Sequence, residues 1–168
     1  MIPDKYLDIL EKRHRKFFDV YRNHRIGDMI LDLYTEFHVK NERFFFIDVL
    51  DVYEAHEYRF VKSFASLELQ DIEGFTEWMK GEIENLVKPD TTHMCTTLTG
   101  VIIAENGIDP KVEKYINRYK YTRYFNFGIK GWCDIRLIGV DGVSDRVVAN
   151  KKGREVIKDF EPVLPPPG

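Results

Sequence analysis

The chain has 168 residues, 43% of them hydrophobic and 14% aromatic, with a formal charge of −3. That composition excludes a disordered chain and suits one domain with a real core, while the charge argues against nucleic-acid binding through bulk charge but leaves a local basic patch open. No stretch approaches the ~20 apolar residues of a membrane helix, MIPDKYLDILEKRH lacks a signal-peptide core, and Cys95 and Cys133 have no CxxC spacing, so a cytoplasmic chain with reduced thiols and no membrane partner is expected.

Pro3 suits a first helical turn, and Leu7, Leu10, His14, Phe17, Phe18 and Tyr21 follow at helical spacing. Lys12, Arg13, Arg15 and Lys16 sit within one turn of that helix and read as a solvated face before an anion patch. Met29, Leu31, Leu33, Phe37 and Val39 then alternate with polar and charged positions, the pattern of a half-buried strand. FFFIDVLDVY (44–53) predicts a buried second strand, although Asp48, Asp51, Glu54 and Glu57 fall three apart and keep a helix open. HEYRFVKSF (56–64) predicts a third strand.

Ile72, Phe75, Trp78, Met79, Ile83, Leu86 and Val87 make one helical stripe, with Asp71 as the expected N-cap and Pro89 as the stop. LTGVIIA is a buried strand, Asp109-Pro110 opens a helix carrying Val112, Tyr115, Ile116 and Tyr119, and YTRYFNF is the next strand. Together they predict a βαβ crossover over 97–127 with its two strands parallel. GWCDIRLIGV is a further strand, and Asp141-Gly142 marks a C-terminal β-hairpin. The expectation is a single α/β (α+β) domain over 1–160 with a mixed sheet flanked by helices, followed by the proline-rich tail EPVLPPPG at 161–168.

The order helix, three strands, helix, strand over residues 4–104 resembles the core of the restriction-endonuclease-like, or PD-(D/E)xK, nucleases. That resemblance implies a second-strand acid and a third-strand acid and lysine around Mg²⁺, with Asp48 (or Asp51), Glu57 and Lys62 as the catalytic candidates and Asp48 and Glu57 as metal ligands. The motif is incomplete: Glu57-Tyr58-Arg59 has arginine in the lysine position, and Phe60 stands two before Lys62. A guanidinium stays protonated and activates water poorly. Glu57 and Lys62 would also face opposite sides of a strand. Lys62 is therefore expected to be structural, its head reaching the sheet edge or one acid. TGVIIAENGID and FGIKGWCDIRLIGVD further resemble archaeal and bacterial proteins of similar length for which no activity is established.

KYINRYKYTRYFNFGIKGW interleaves cations with aromatics, as single-stranded nucleic-acid binders do, and makes Arg118, Tyr121, Arg123, Tyr124 and Lys130 candidates for a nucleic-acid or protein partner. Core tyrosines covered by lysine and arginine stems are the plainer reading. The five histidines show no ligand spacing, although Glu36 and His38 share a strand face and a metal site there stays open. Cys95 with His93 could make a nucleophile and base, without a supporting pattern. The leading expectation is a non-catalytic macromolecule-binding module with a nuclease-like core and no cofactor. The alternatives are a metal-dependent phosphodiesterase, with Mg²⁺, and a homo-oligomeric interaction domain.

Overall fold

Helix α1 (Pro3–His14) opens the chain with proline in its first turn. The computed structural model describes residues 1–42, 52–87 and 93–162. The helix stops earlier than the spacing of Phe17, Phe18 and Tyr21 suggests, because strand β1 (Asp19–Ile26) takes over the polar and aromatic residues that follow. There Val20 and Tyr21 pair with Thr35 and Tyr34 of β2 (Met29–Glu42), and Tyr21 stacks on Tyr34. Tertiary pairing of β-branched and aromatic residues overrides a helical period. The β1–β2 turn is Gly27-Asp28, with Gly27 at φ +59°, which a short hairpin requires.

Strand β3 (Val52–Phe64) pairs antiparallel with β2. The expected strand over 44–53 lies outside the described residues except for Val52 and Tyr53, which begin β3 itself, so the antiparallel neighbour of 56–61 is 33–38. Helix α2 (Leu69–Leu86) follows. Its N-cap is Glu68 rather than Asp71; Asp71 instead accepts the Glu68 N–H at 2.9 Å and closes a reciprocal capping box.

Strand β4 (His93–Ala104) lies parallel to β3, and α3 (Pro110–Arg118) begins at Asp109, which accepts the Val112 N–H at 2.9 Å. The crossover through α3 exists, but its second parallel strand is β6 (Gly131–Asp141), not 122–127. Residues Thr122–Tyr124 form a short strand β5 antiparallel to β6 on its outer edge. The chain reverses between them through Asn126, Phe127 and Gly128, all at positive φ. The physical reason lies in the side chains: Cys133, Ile135, Leu137, Ile138 and Val140 are fully buried, so the apolar run of β6 takes the inner place covered on both faces. Strand β7 (Val147–Ala149) completes the expected C-terminal hairpin on the same edge of β6.

The result is an open seven-stranded mixed sheet in the order β1-β2-β3-β4-β6-β5, with β7 on β6. Helices α2 and α3 cover one face over Phe60, Ile72, Phe75, Leu98 and Ile135. Helix α1 and the 3₁₀ turns at 153–160 cover the other over Leu33, Val61, Val101 and Ile138. Tyr6 donates its hydroxyl to Phe160 O at 2.5 Å, and Arg13 donates to Asp159 O and Glu161 O, which tie the C-terminal segment onto α1. Residues 163–168 of the tail lie outside the described residues. Among the described residues, no helix is long and apolar enough to cross a membrane.

Gly100 sets how closely α2 approaches the sheet: a Cβ there would lie 2.5 Å from Met79 Cε and 2.8 Å from Phe75 Cε1. Gly100→Val is expected to cost about 1–3 kcal/mol by overpacking. Urea unfolding measures this, and an unchanged midpoint would show that α2 rides outward freely.

Candidate functional site

The strand alternation of β3 separates the residues of the nuclease-like motif. Glu57, Arg59 and Val61 face α1; Tyr58, Phe60 and Lys62 face the other way. Glu57 Oε1 accepts from Arg59 at 2.8 Å and from Arg136 at 2.9 Å. Lys62 Nζ donates to Ile30 O at 2.9 Å and stands 5.7 Å from the Phe64 ring centroid. Lys62 thus bridges from β3 to a backbone carbonyl at the start of β2, and it is not brought together with Glu57. Asp48 and Asp51 lie outside the described residues. Among the described residues, no group of three or more His, Cys, Asp or Glu side chains is arranged to hold a metal ion.

Around Glu57 the sheet carries a polar row. Thr35, Arg59, Thr99 and Arg136 occupy one register line across β2, β3, β4 and β6. Arg59 is 3% exposed. It donates to Asp159 Oδ2 and to His14 Nε2, both at 2.8 Å, and its guanidinium lies 4.6 Å from the Phe18 ring centroid. His14 Nδ1 donates to Leu10 O at 2.8 Å, the tautomer that leaves Nε2 free to accept. Burial, and then the Arg59 cation, hold the His14 imidazole neutral, lowering its pKa from 6.5 to about 4. This set locks the C-terminal segment to the sheet.

The cysteines lie on opposite faces of the sheet. Burial, and then Asp134, push the Cys95 thiol up, and burial pushes Cys133 up to about 12. Neither is a ready thiolate, which weighs against Cys95 as a nucleophile. The His93 side chain lies outside the described residues.

The basic and aromatic run behaves differently. Val112 and Ile116 of α3 are buried, so Lys111, Lys114 and Arg118, spaced by three and four, form its outer stripe, while the half-buried Tyr115 packs toward α2, its hydroxyl 2.7 Å from Thr76 Oγ1. Beyond the helix, Arg118, Tyr119, Lys120 and Tyr121 line a cleft of about 390 Å³ from one segment of the chain, and Lys151, Lys152 and the acidic Glu155 line it from another. Asn150 joins the two segments: its Nδ2 donates to Tyr119 O and Ile135 O, and its Oδ1 accepts from Leu137 N and Gly153 N. A second hollow of about 530 Å³ over α3 shares Arg118, Tyr119 and Lys120 and adds Lys111, Lys114 and Tyr115. Among the described residues, none of Lys111, Lys114, Arg118, Lys120 and Lys151 forms an ion pair; Lys152 reaches Asp134 at 3.7 Å and Glu155 at 4.0 Å.

Of the residues expected here, Arg118 and Tyr121 come together in one cleft. Tyr121 is half-buried, with Lys80 Nζ 4.9 Å from its ring centroid. The other three lie along the outer edge: Arg123 pairs with Glu84 and covers Phe125, Tyr124 is 65% exposed, and Lys130 is half-buried. Sequence reasoning missed Lys111, Lys114, Lys151 and Lys152. The helical spacing of the first pair was a readable signal; the second pair, 31 or more positions from Lys120, reaches the cleft only through the β6–β7 hairpin.

No curated protein and no solved structure matches the chain. One family model, described as a domain of unknown function, matches residues 3–162. That range runs from the start of α1 to the last described residue and takes in both covered faces of the sheet. The chain therefore belongs to the DUF8052 family.

Proposed function

We propose that this protein is a non-catalytic module that binds single-stranded nucleic acid along α3 and the cleft that follows it. The observation that carries this reading is the concentration of cations without ion pairs beside Tyr115, Tyr119 and Tyr121 in two adjoining hollows, on a chain whose net charge is −3. Lysine and arginine attract phosphates, and tyrosine faces accept bases of any sequence. The order α1-β1-β2-β3-α2-β4, with β3 and β4 parallel, supports a nuclease-like core beneath that surface. Two guanidinium partners on Glu57 and the bond from Lys62 to Ile30 O weigh against phosphodiester cleavage by Asp48, Glu57 and Lys62.

Fluorescence anisotropy with labelled oligo-dT and oligo-rU tests the reading. If about four phosphates are engaged, the log–log salt slope is roughly −3, and affinity falls roughly fiftyfold between about 50 and about 200 mM salt. Joint substitution Arg118→Gln and Lys120→Gln is expected to weaken binding by about tenfold and flatten the slope by about one. Lys12→Gln with Lys16→Gln, exposed in the last turn of α1 and in the turn just after it, should leave both nearly unchanged. Equal losses from the two pairs would leave only diffuse charge attraction, and the proposal would fail.

A further inference from the structure

His38 and His56 face each other across β2 and β3 at a directly paired position of the antiparallel ladder. Their Nδ1 atoms lie 2.7 Å apart. Each ring has a carboxylate at its other nitrogen: Glu54 Oε2 is 3.2 Å from His56 Nε2, and Glu36 Oε2 is 3.8 Å from His38 Nε2. Glu36 and Glu54 each stand two residues before their histidine and share its face. Tyr34 donates its hydroxyl to Glu36 Oε2 at 2.9 Å, and the Tyr58 ring meets His38 edge-on.

A carboxylate at Nε2 favours the tautomer with its proton there, and leaves the Nδ1 lone pair free. With both rings in that state, two lone pairs would point at each other across 2.7 Å. Something positive must lie between them. A single proton on one Nδ1, donated to the other, meets that need. The longer carboxylate distance at His38 marks it as the ring that keeps this proton.

A metal cation meets the same need more strongly. We infer that His38 and His56 form a transition-metal site, taking Zn²⁺, Ni²⁺ or Cu²⁺ through both Nδ1 atoms, with Glu36 and Glu54 as positioning carboxylates. On binding, the His38 proton passes from Nδ1 to Nε2, toward Glu36. Tetrahedral Zn²⁺ with two imidazoles needs the nitrogens roughly 3.3 Å apart, so from 2.7 Å the rings must part by roughly 0.6 Å. Side-chain exposures of 44% for His38 and 18% for His56 leave room for that shift and for water in the remaining positions. Mg²⁺ and Ca²⁺ demand oxygen ligands and do not fit a two-nitrogen seat.

Titration of Zn²⁺ into the full chain, followed by calorimetry and by imidazole ¹⁵N chemical shifts, tests this. One saturable equivalent is expected, with metal-induced shifts at Nδ1 of His38 and His56 while their Nε2 atoms stay protonated. His38→Gln and His56→Gln should each weaken binding by at least about tenfold, and Glu54→Gln by about tenfold or less. Metal-free thermal melts of the variants, expected to match the parent, separate lost ligation from lost folding. Zn²⁺ binding unchanged in the His38→Gln/His56→Gln double variant, ligation through Nε2, or displacement of Zn²⁺ by equimolar Mg²⁺ would each overturn the inference.

Discussion

Arg59→Ala is expected to lower the unfolding free energy by about 3–5 kcal/mol, the range for removing one partner from a buried charge network. Arg59 has a side chain only 4% exposed and holds Glu57, Asp159 and His14 at once. Its plane also lies against Phe18 and Phe160, at 4.6 and 5.2 Å from their centroids. Alanine leaves Glu57 with Arg136 alone, strips His14 Nε2 of its donor and opens the space between two rings. Arg59→Met fills that space without restoring the hydrogen bonds, so its loss should be smaller than alanine's. Urea denaturation of both variants measures the difference. A loss below about 1 kcal/mol for alanine would mean that desolvating the guanidinium already cancels its contacts.

Acidification should weaken the fold through His14 by a comparable amount. The imidazole is 3% exposed and accepts from Arg59, so protonation would place two cations face to face inside the protein. Its pKa in the folded chain is about 4, against 6.5 for an ordinary histidine. Between those values the unfolded chain takes up a proton that the folded chain refuses. The contribution is therefore whole above pH 6.5 and lost progressively as the pH falls toward 4. It corresponds to about 3 kcal/mol. Denaturation midpoints across that window should fall in the parent and fall less in His14→Gln, whose amide can accept from Arg59 without titrating. Parallel pH profiles for parent and variant would remove His14 as the cause.

Much of the architecture was legible because its signals are local. Asp109-Pro110 started α3 where capping chemistry required, and the stripe from Ile72 to Val87 placed α2 nearly whole. Asp141-Gly142 marked the final hairpin. The failures share another cause. Phe17, Phe18 and Tyr21 fit a helical period, yet partners on β2 decided that 19–26 is a strand. GWCDIRLIGV carries the longer apolar run, but its inner place beside β4 also depends on both of its faces being covered once α1, α2 and α3 are in place.

The candidate sites divide in the same way. Arg118 and Tyr121 were readable, because cations among aromatics in one short run are a local pattern. Lys151 and Lys152 were not, because a hairpin carries them to the same cleft. Composition and local spacing determined the single mixed α/β domain, the helix starts and the β-rich centre, since each rests on propensity and burial within a few residues. Only the tertiary structure decided that Glu57 would be held by Arg59 and Arg136, that Lys62 would end on a carbonyl of β2, and that His38 would meet His56. Strand register makes those encounters, and register is settled by long-range pairing that no short stretch of sequence contains.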